Sequence, residues 1–106
     1  MVNKPLPSSI PLGMNIAQAL QQNSALADLA RRMAESNARF AAVRLLLPEP
    51  LRSHVQAGPI DDEGWSLLAS NAAVAAKLRH LLPRLSDTLR EQGWPELPIR
   101  VHIRTR

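Results

Sequence analysis

The residues best suited to chemistry in this chain are cations. Seven Lys or Arg follow residue 70, against three acids, whereas the first 70 residues carry six of each. The net charge of +4 therefore belongs entirely to the last third. Lys77, Arg79, Arg84, Arg100, Arg104 and Arg106 form the candidate set. A one-sided basic surplus of this kind fits a polyanion, with nucleic acid the first candidate. The bland alternative is a solvated face laced with ordinary ion pairs. Arg79 has two readings, because it adjoins the apolar Leu78. It can meet phosphate or brace the sheet, and a guanidinium fork serves a carboxylate equally well.

Other chemistries find little support. No cysteine is present, which excludes disulfides, thiolate zinc sites and thiol nucleophiles. His54, His80 and His102 lack the spacing of a zinc-binding helix motif. Asp61, Asp62 and Glu63 read as a solvated turn, since a calcium loop needs further ligands at set intervals. No serine sits in a nucleophile-elbow pattern and no glycine-rich loop can cradle phosphates. No catalytic residue, metal or cofactor is expected, and no small-molecule substrate. Aromatic residues are 3% of the chain, which argues against a site of stacked rings. Trp94, after a helix end, is the candidate partner anchor; Trp65 is assigned to the core.

The cations need elements to position them. From Asn71 to Gln92, Val74, Leu78, Leu81, Leu85 and Leu89 recur at helical spacing, with Asn71 as N-cap and Gly93 as stop. Lys77, His80 and Arg84 lie on a different side of this helix. Pro83 should kink it or start a second one. Leu97 to Thr105 reads as a strand, with Ile99, Val101 and Ile103 opposed to Arg100, His102 and Arg104.

Upstream, residues 1–13 form a Pro-rich leader. A short helix from Asn15 is expected to break at Asn23 and Ser24. A long helix from Ser24 to about Leu46 would bury Leu26, Leu29, Ala30, Met33, Phe40 and Val43, and stop before Pro48. Arg52–Ala57 and Trp65–Ala69 read as a hairpin whose loop exceeds two residues. Residues 14–106 are then one domain. The order α-α-β-β-α-β describes a small two-layer α/β sandwich, a three-stranded sheet with helices on one face. At 45% hydrophobic and 21% charged residues the composition is that of a globular domain. No apolar run approaches the ~20 residues of a membrane span, and no signal peptide is seen; a cytoplasmic location is expected.

The stretch Leu47 to His80 has a recognisable order: an amphipathic helix, a Leu-Pro break, Leu51 and His54, a hairpin with Gly64 and Leu67, then a small-residue helix with Ala72, Ala76, Leu78 and Arg79. This resembles the bacterial DciA family of replicative helicase loaders, over roughly residues 15–105. The resemblance implies a KH-like fold, binding to the DnaB-type helicase, affinity for single-stranded DNA and no catalysis. KH domains share the architecture, but their GxxG clamp is absent here. An RNA-binding module and a pure protein-interaction adaptor are the alternatives.

Overall fold

The computed structural model describes residues 16–104. The Pro-rich leader and Arg106 lie outside the described residues. By contacts the chain divides into two units, Met1–Ala30 and Arg31–Arg106.

One helix, α1 (Ile16–Val43), passes from the first unit into the second. The expected break at Asn23 and Ser24 does not occur. Between Ile16 and Val43 there is no Gly or Pro. A lone Asn or Ser inside a helix costs at most about 0.7 kcal/mol relative to Ala, too little to interrupt such a run. In the first unit, Leu26 and Leu29 are exposed on this helix, at 58% and 54%. In the second, Met33 is likewise exposed. These three were expected in the core. Helical periodicity identifies an apolar side, but supplies nothing to cover it.

Within the second unit, α1 reaches the core only from Ser36 onward. Ser36 and Val43 are buried, and Phe40 packs against the core. A 3-10 turn (Arg44–Leu46) follows, and Leu47 adopts extended geometry (φ −78°, ψ 135°), as a residue before proline must. Next comes a single turn of helix, α2 (Glu49–Arg52). Arg52, expected in a strand, instead closes this corner by donating from Nε to the Leu47 carbonyl at 3.0 Å.

The strands are β1 (Val55–Asp61), β2 (Gly64–Ala69) and β3 (Ile99–Ile103). β1 and β2 are antiparallel and pair down to Asp61 opposite Gly64. The hairpin loop is therefore only Asp62 and Glu63, shorter than the sequence suggested. Gly64 makes this tight turn possible. Its φ is +134°, in the region that favours glycine, and a Cβ there would overlap the Pro98 carbonyl. β3 joins β2 in parallel, with Trp65 opposite Ile99 and Ala69 opposite Ile103. The sheet order is β1-β2-β3.

Between β2 and β3 runs α3 (Ala72–Glu91). Asn71 caps it by accepting from the Val74 N–H at 2.9 Å. The helix continues through Pro83 as one element, and no second helix starts there. Pro83 and Arg79 are both exposed, so the Arg79 carbonyl that loses its donor can be satisfied by water. Ala75, Leu78, Leu85 and Leu89 are buried and face Trp65 and Leu67, both at 0% exposure. The C-terminal part of α1 shares this side of the sheet. Its Ser36 Oγ accepts from Trp65 Nε1 at 2.9 Å and donates to the Gly58 carbonyl at 2.6 Å. The sequence order α-α-β-β-α-β, the mixed α/β sandwich and the placement of Trp65 in the core all hold.

Candidate nucleic-acid interface

The buried stripe of α3 sets where its cations point. At about 100° per residue, Lys77 and Arg84 fall on one flank of the Leu78–Leu85 stripe. Arg79 falls on the other flank. All three are exposed, and none has a side-chain hydrogen bond or ion pair among the described residues. Arg79 therefore does not brace the sheet: one residue past Leu78 is far enough round the helix to leave the core altogether.

Strand β3 divides its side chains between two faces. Ile99 and Val101 pack against the core with α3. Arg100, His102 and Arg104 alternate onto the opposite face, which no described helix covers. Arg104 is exposed and makes no side-chain contact of the kinds above, while its backbone N–H extends the ladder by donating to Ala69 O at 2.7 Å. The predicted cations thus occupy both flanks of α3 and the far face of the sheet.

Arg100 differs from the rest. Its Nη1 donates to Glu63 Oε1 at 2.6 Å, and Nη2 reaches both carboxylate oxygens of Asp61 at 3.2 Å. The side chain is 33% exposed, and its buried Nε has no partner. The acids at the hairpin tip are thus more than a solvated turn: two of the three hold an arginine. Asp61 sits below the usual carboxylate range. The Glu63 backbone N–H favours its charged form most, partial desolvation opposes this, and the Arg100 charge and the Gly64 N–H add to the lowering. Asp62, at the apex, lies 3.9 Å from Arg32.

Sequence reasoning left two arginines out of the candidate set. Arg39 is the buried one, at 1% exposure. Its Nε donates to Glu35 at 2.8 Å, Nη2 donates to Pro95 O at 2.9 Å, and its guanidinium lies 5.0 Å from the Trp94 ring centroid. The signal was its spacing, one helical turn before the buried Val43. Trp94 is consequently half-buried against an internal arginine, at the edge of a cavity of about 260 Å³ lined also by Leu89, Pro95 and Leu97. Arg44, in the 3-10 turn, is exposed and without such contacts; it belongs to the half of the sequence whose charges balance, so the charge count passed over it.

The histidines do not meet. His54 lies in the turn after α2, rather than on a strand, with Nδ1 3.1 Å from Ser70 Oγ. His80 is on the outer side of α3 and His102 on the open face of β3. Among the described residues no group of three or more His, Cys, Asp or Glu is placed to hold a metal ion.

One family model, described as Dna[CI] antecedent, DciA, matches the chain over residues 15–103. The chain belongs to the DciA family. This match spans both α1 and the sheet, and so covers nearly all of the described chain. DciA proteins act in bacterial DNA replication, in the loading of the replicative helicase. Comparison with curated proteins finds no significant match. No helix among the described residues is long and apolar enough to cross a membrane.

Proposed function

We propose that this DciA-family chain is a non-catalytic replication accessory that binds the DnaB-type replicative helicase and single-stranded DNA and promotes helicase loading. Family membership supports the helicase partner. For DNA, the supporting observation is that Lys77, Arg79, Arg84 and Arg104 are exposed and uncommitted. A cation held by a carboxylate has already exchanged water for a partner; a free one can displace counterions from phosphate. Lys77 and Arg84 share a flank, about 10.5 Å apart along the helix axis, and form the pair that a strand lying along that flank would meet. Arg100 is not part of this set in the ground state, because Asp61 and Glu63 occupy its fork. Arg106 lies outside the described residues and is a candidate from its charge alone. Trp94 contributes to packing through Arg39 and, being only half-buried at the cavity edge, stays the candidate partner anchor.

The test is anisotropy of a labelled single-stranded oligonucleotide titrated with the chain, with and without purified replicative helicase, at two salt concentrations. Each phosphate contact on a single strand should add about −0.7 to the slope of log K against log salt. Steep dependence, with the helicase increasing the bound fraction, supports the reading. A flat salt response without a helicase effect refutes it and leaves a protein adaptor. Equal or tighter binding to an RNA of the same sequence, again without a helicase effect, favours an RNA-binding module.

A further inference from the structure

We propose that the edge of β3 left unpaired among the described residues is a docking site for an extended, acidic segment of a partner protein, which adds to the sheet as a fourth strand. The two edges of this sheet differ. β1 is blunted: Pro59 lacks an N–H, and the pairing register shifts between Ala57 and Ile60. Both features discourage further pairing. β3 has neither. From Ile99 to Ile103 it contains no Pro and no Gly, and its register with β2 is regular over all five residues.

The direction of its backbone groups follows from the ladder. Trp65 N donates to Pro98 O at 2.8 Å and Arg104 N donates to Ala69 O at 2.7 Å. In a parallel pair these bonds alternate along the strand. The N–H and C=O groups of Arg100 and His102 therefore turn inward to β2. Those of Ile99, Val101 and Ile103 turn outward, three donors and three acceptors spaced for an incoming strand. Ile103 is also 45% exposed and offers an apolar side chain at the end of that edge.

Charge selects the occupant. The side chains beside this edge on the open face are Arg100, His102 and Arg104, and Arg104 has no side-chain partner among the described residues. Arg100 is already neutralised by Asp61 and Glu63, so a second copy pairing through the same edge would bring the uncommitted Arg104 of each chain onto one shared ladder, where like charges are destabilising. A strand carrying carboxylates at alternate positions would place them against this row. Its intervening apolar side chains would extend the side formed by Ile99, Val101 and Ile103. This is strand addition, in which backbone bonds supply affinity and alternate side chains supply specificity. It goes beyond the nucleic-acid reading, since Lys77 and Arg84 take no part.

The probe is a labelled peptide of alternating Glu and Val, titrated into the full chain, with a Lys/Val peptide as the control. The acidic peptide should bind at least tenfold more tightly. On binding, amide exchange should slow at Ile99, Val101 and Ile103 rather than at residues of β1. Ile103→Pro removes an outward N–H while sparing the β2–β3 bonds, and should abolish binding with the fold retained by circular dichroism. Arg104→Glu should weaken the acidic peptide by about tenfold and improve the basic one. Absence of binding at millimolar peptide, equal affinity for both peptides, or protection confined to β1 overturns the proposal. So does sedimentation that shows the chain dimerising and the Ile103→Pro variant monomeric, which would assign the edge to a second copy.

Discussion

Arg100 is a cation whose availability is set by two neighbours. The double substitution Asp61→Asn with Glu63→Gln removes the charges that hold it but keeps side-chain oxygens. The amide oxygen introduced by Asp61→Asn can still accept from the Glu63 backbone N–H, a contact now 2.8 Å long, so the tight turn should survive. The freed guanidinium lies on the same face of the sheet as Arg104. If single-stranded DNA reaches that face, one phosphate contact is gained. The slope of log K against log salt should then steepen by about 0.7. Extrapolated from a 1 M reference, that increment is an affinity gain of about eightfold at ~50 mM salt and threefold at ~200 mM.

The assay is anisotropy with a labelled oligonucleotide across a salt series. A triple variant that adds Arg100→Gln is the control. It removes the proposed contact while keeping the neutralised acids, so it should return the slope to the wild-type value. The reasoning fails if the folded double variant binds with unchanged affinity and slope. It also fails if the gain persists in the triple variant, because the effect would then come from general charge and not from Arg100.

Other consequences concern the scaffold. Ser36→Ala strands the buried Trp65 indole N–H and the Gly58 carbonyl; at about 1–3 kcal/mol for each unsatisfied group, urea unfolding should show a loss of roughly 2–6 kcal/mol. A loss under ~0.5 kcal/mol would mean that this hydroxyl bridges nothing of consequence. Leu78→Ala, at a fully buried position, should cost about 2–5 kcal/mol and remove DNA binding only through unfolding, visible as parallel loss of helicity. Asp61, whose pKa is lowered in the fold, stabilises the chain above its unfolded pKa, and that contribution disappears as pH falls through the folded value. Stability should therefore drop in acid, and Asp61→Asn should flatten the drop in urea titrations taken at several pH values.

The parts of the fold that were legible are those where one period dominates. Leu78, Leu85 and Leu89 bury as their spacing requires, and Ile99 and Val101 oppose Arg100 as a strand's alternation requires. The errors arise where a local signal was asked for tertiary information. Asn23 and Ser24 are weak helix residues, but weakness without a breaker does not end a helix. Leu26, Leu29 and Met33 keep helical spacing, yet burial depends on a facing surface. The candidate site was legible as a charge surplus and illegible as a surface. Arg100 and the hairpin acids are more than 35 residues apart in sequence, so no local pattern links them. Arg39 was readable in principle: its position one turn before Val43 put a cation on the apolar side, where burial requires partners, and Glu35, Pro95 and Trp94 supply them.

The distribution of the free cations limits how DNA can lie on the chain. A straight single strand following one flank of α3 meets Lys77 and Arg84 but not Arg79, which the helical repeat carries to the other flank. Arg104 is on the far side of the sheet from both. One flank alone gives a slope of about −1.4, whereas all four uncommitted cations (Lys77, Arg79, Arg84 and Arg104) give about −2.8. Over a fourfold change in salt, the first is roughly a sevenfold loss of affinity and the second roughly fiftyfold. The steeper value demands a strand that wraps from the helix layer round an edge to the open sheet face. Such a path would cross the β3 edge, where the proposed acidic segment would sit. DNA wrapping and strand addition would then compete, and the acidic peptide should lower the slope toward about −1.4. With DNA confined to the Lys77–Arg84 flank, the two ligands would bind together without mutual effect. The salt slope therefore reports the geometry of the complex as well as its strength.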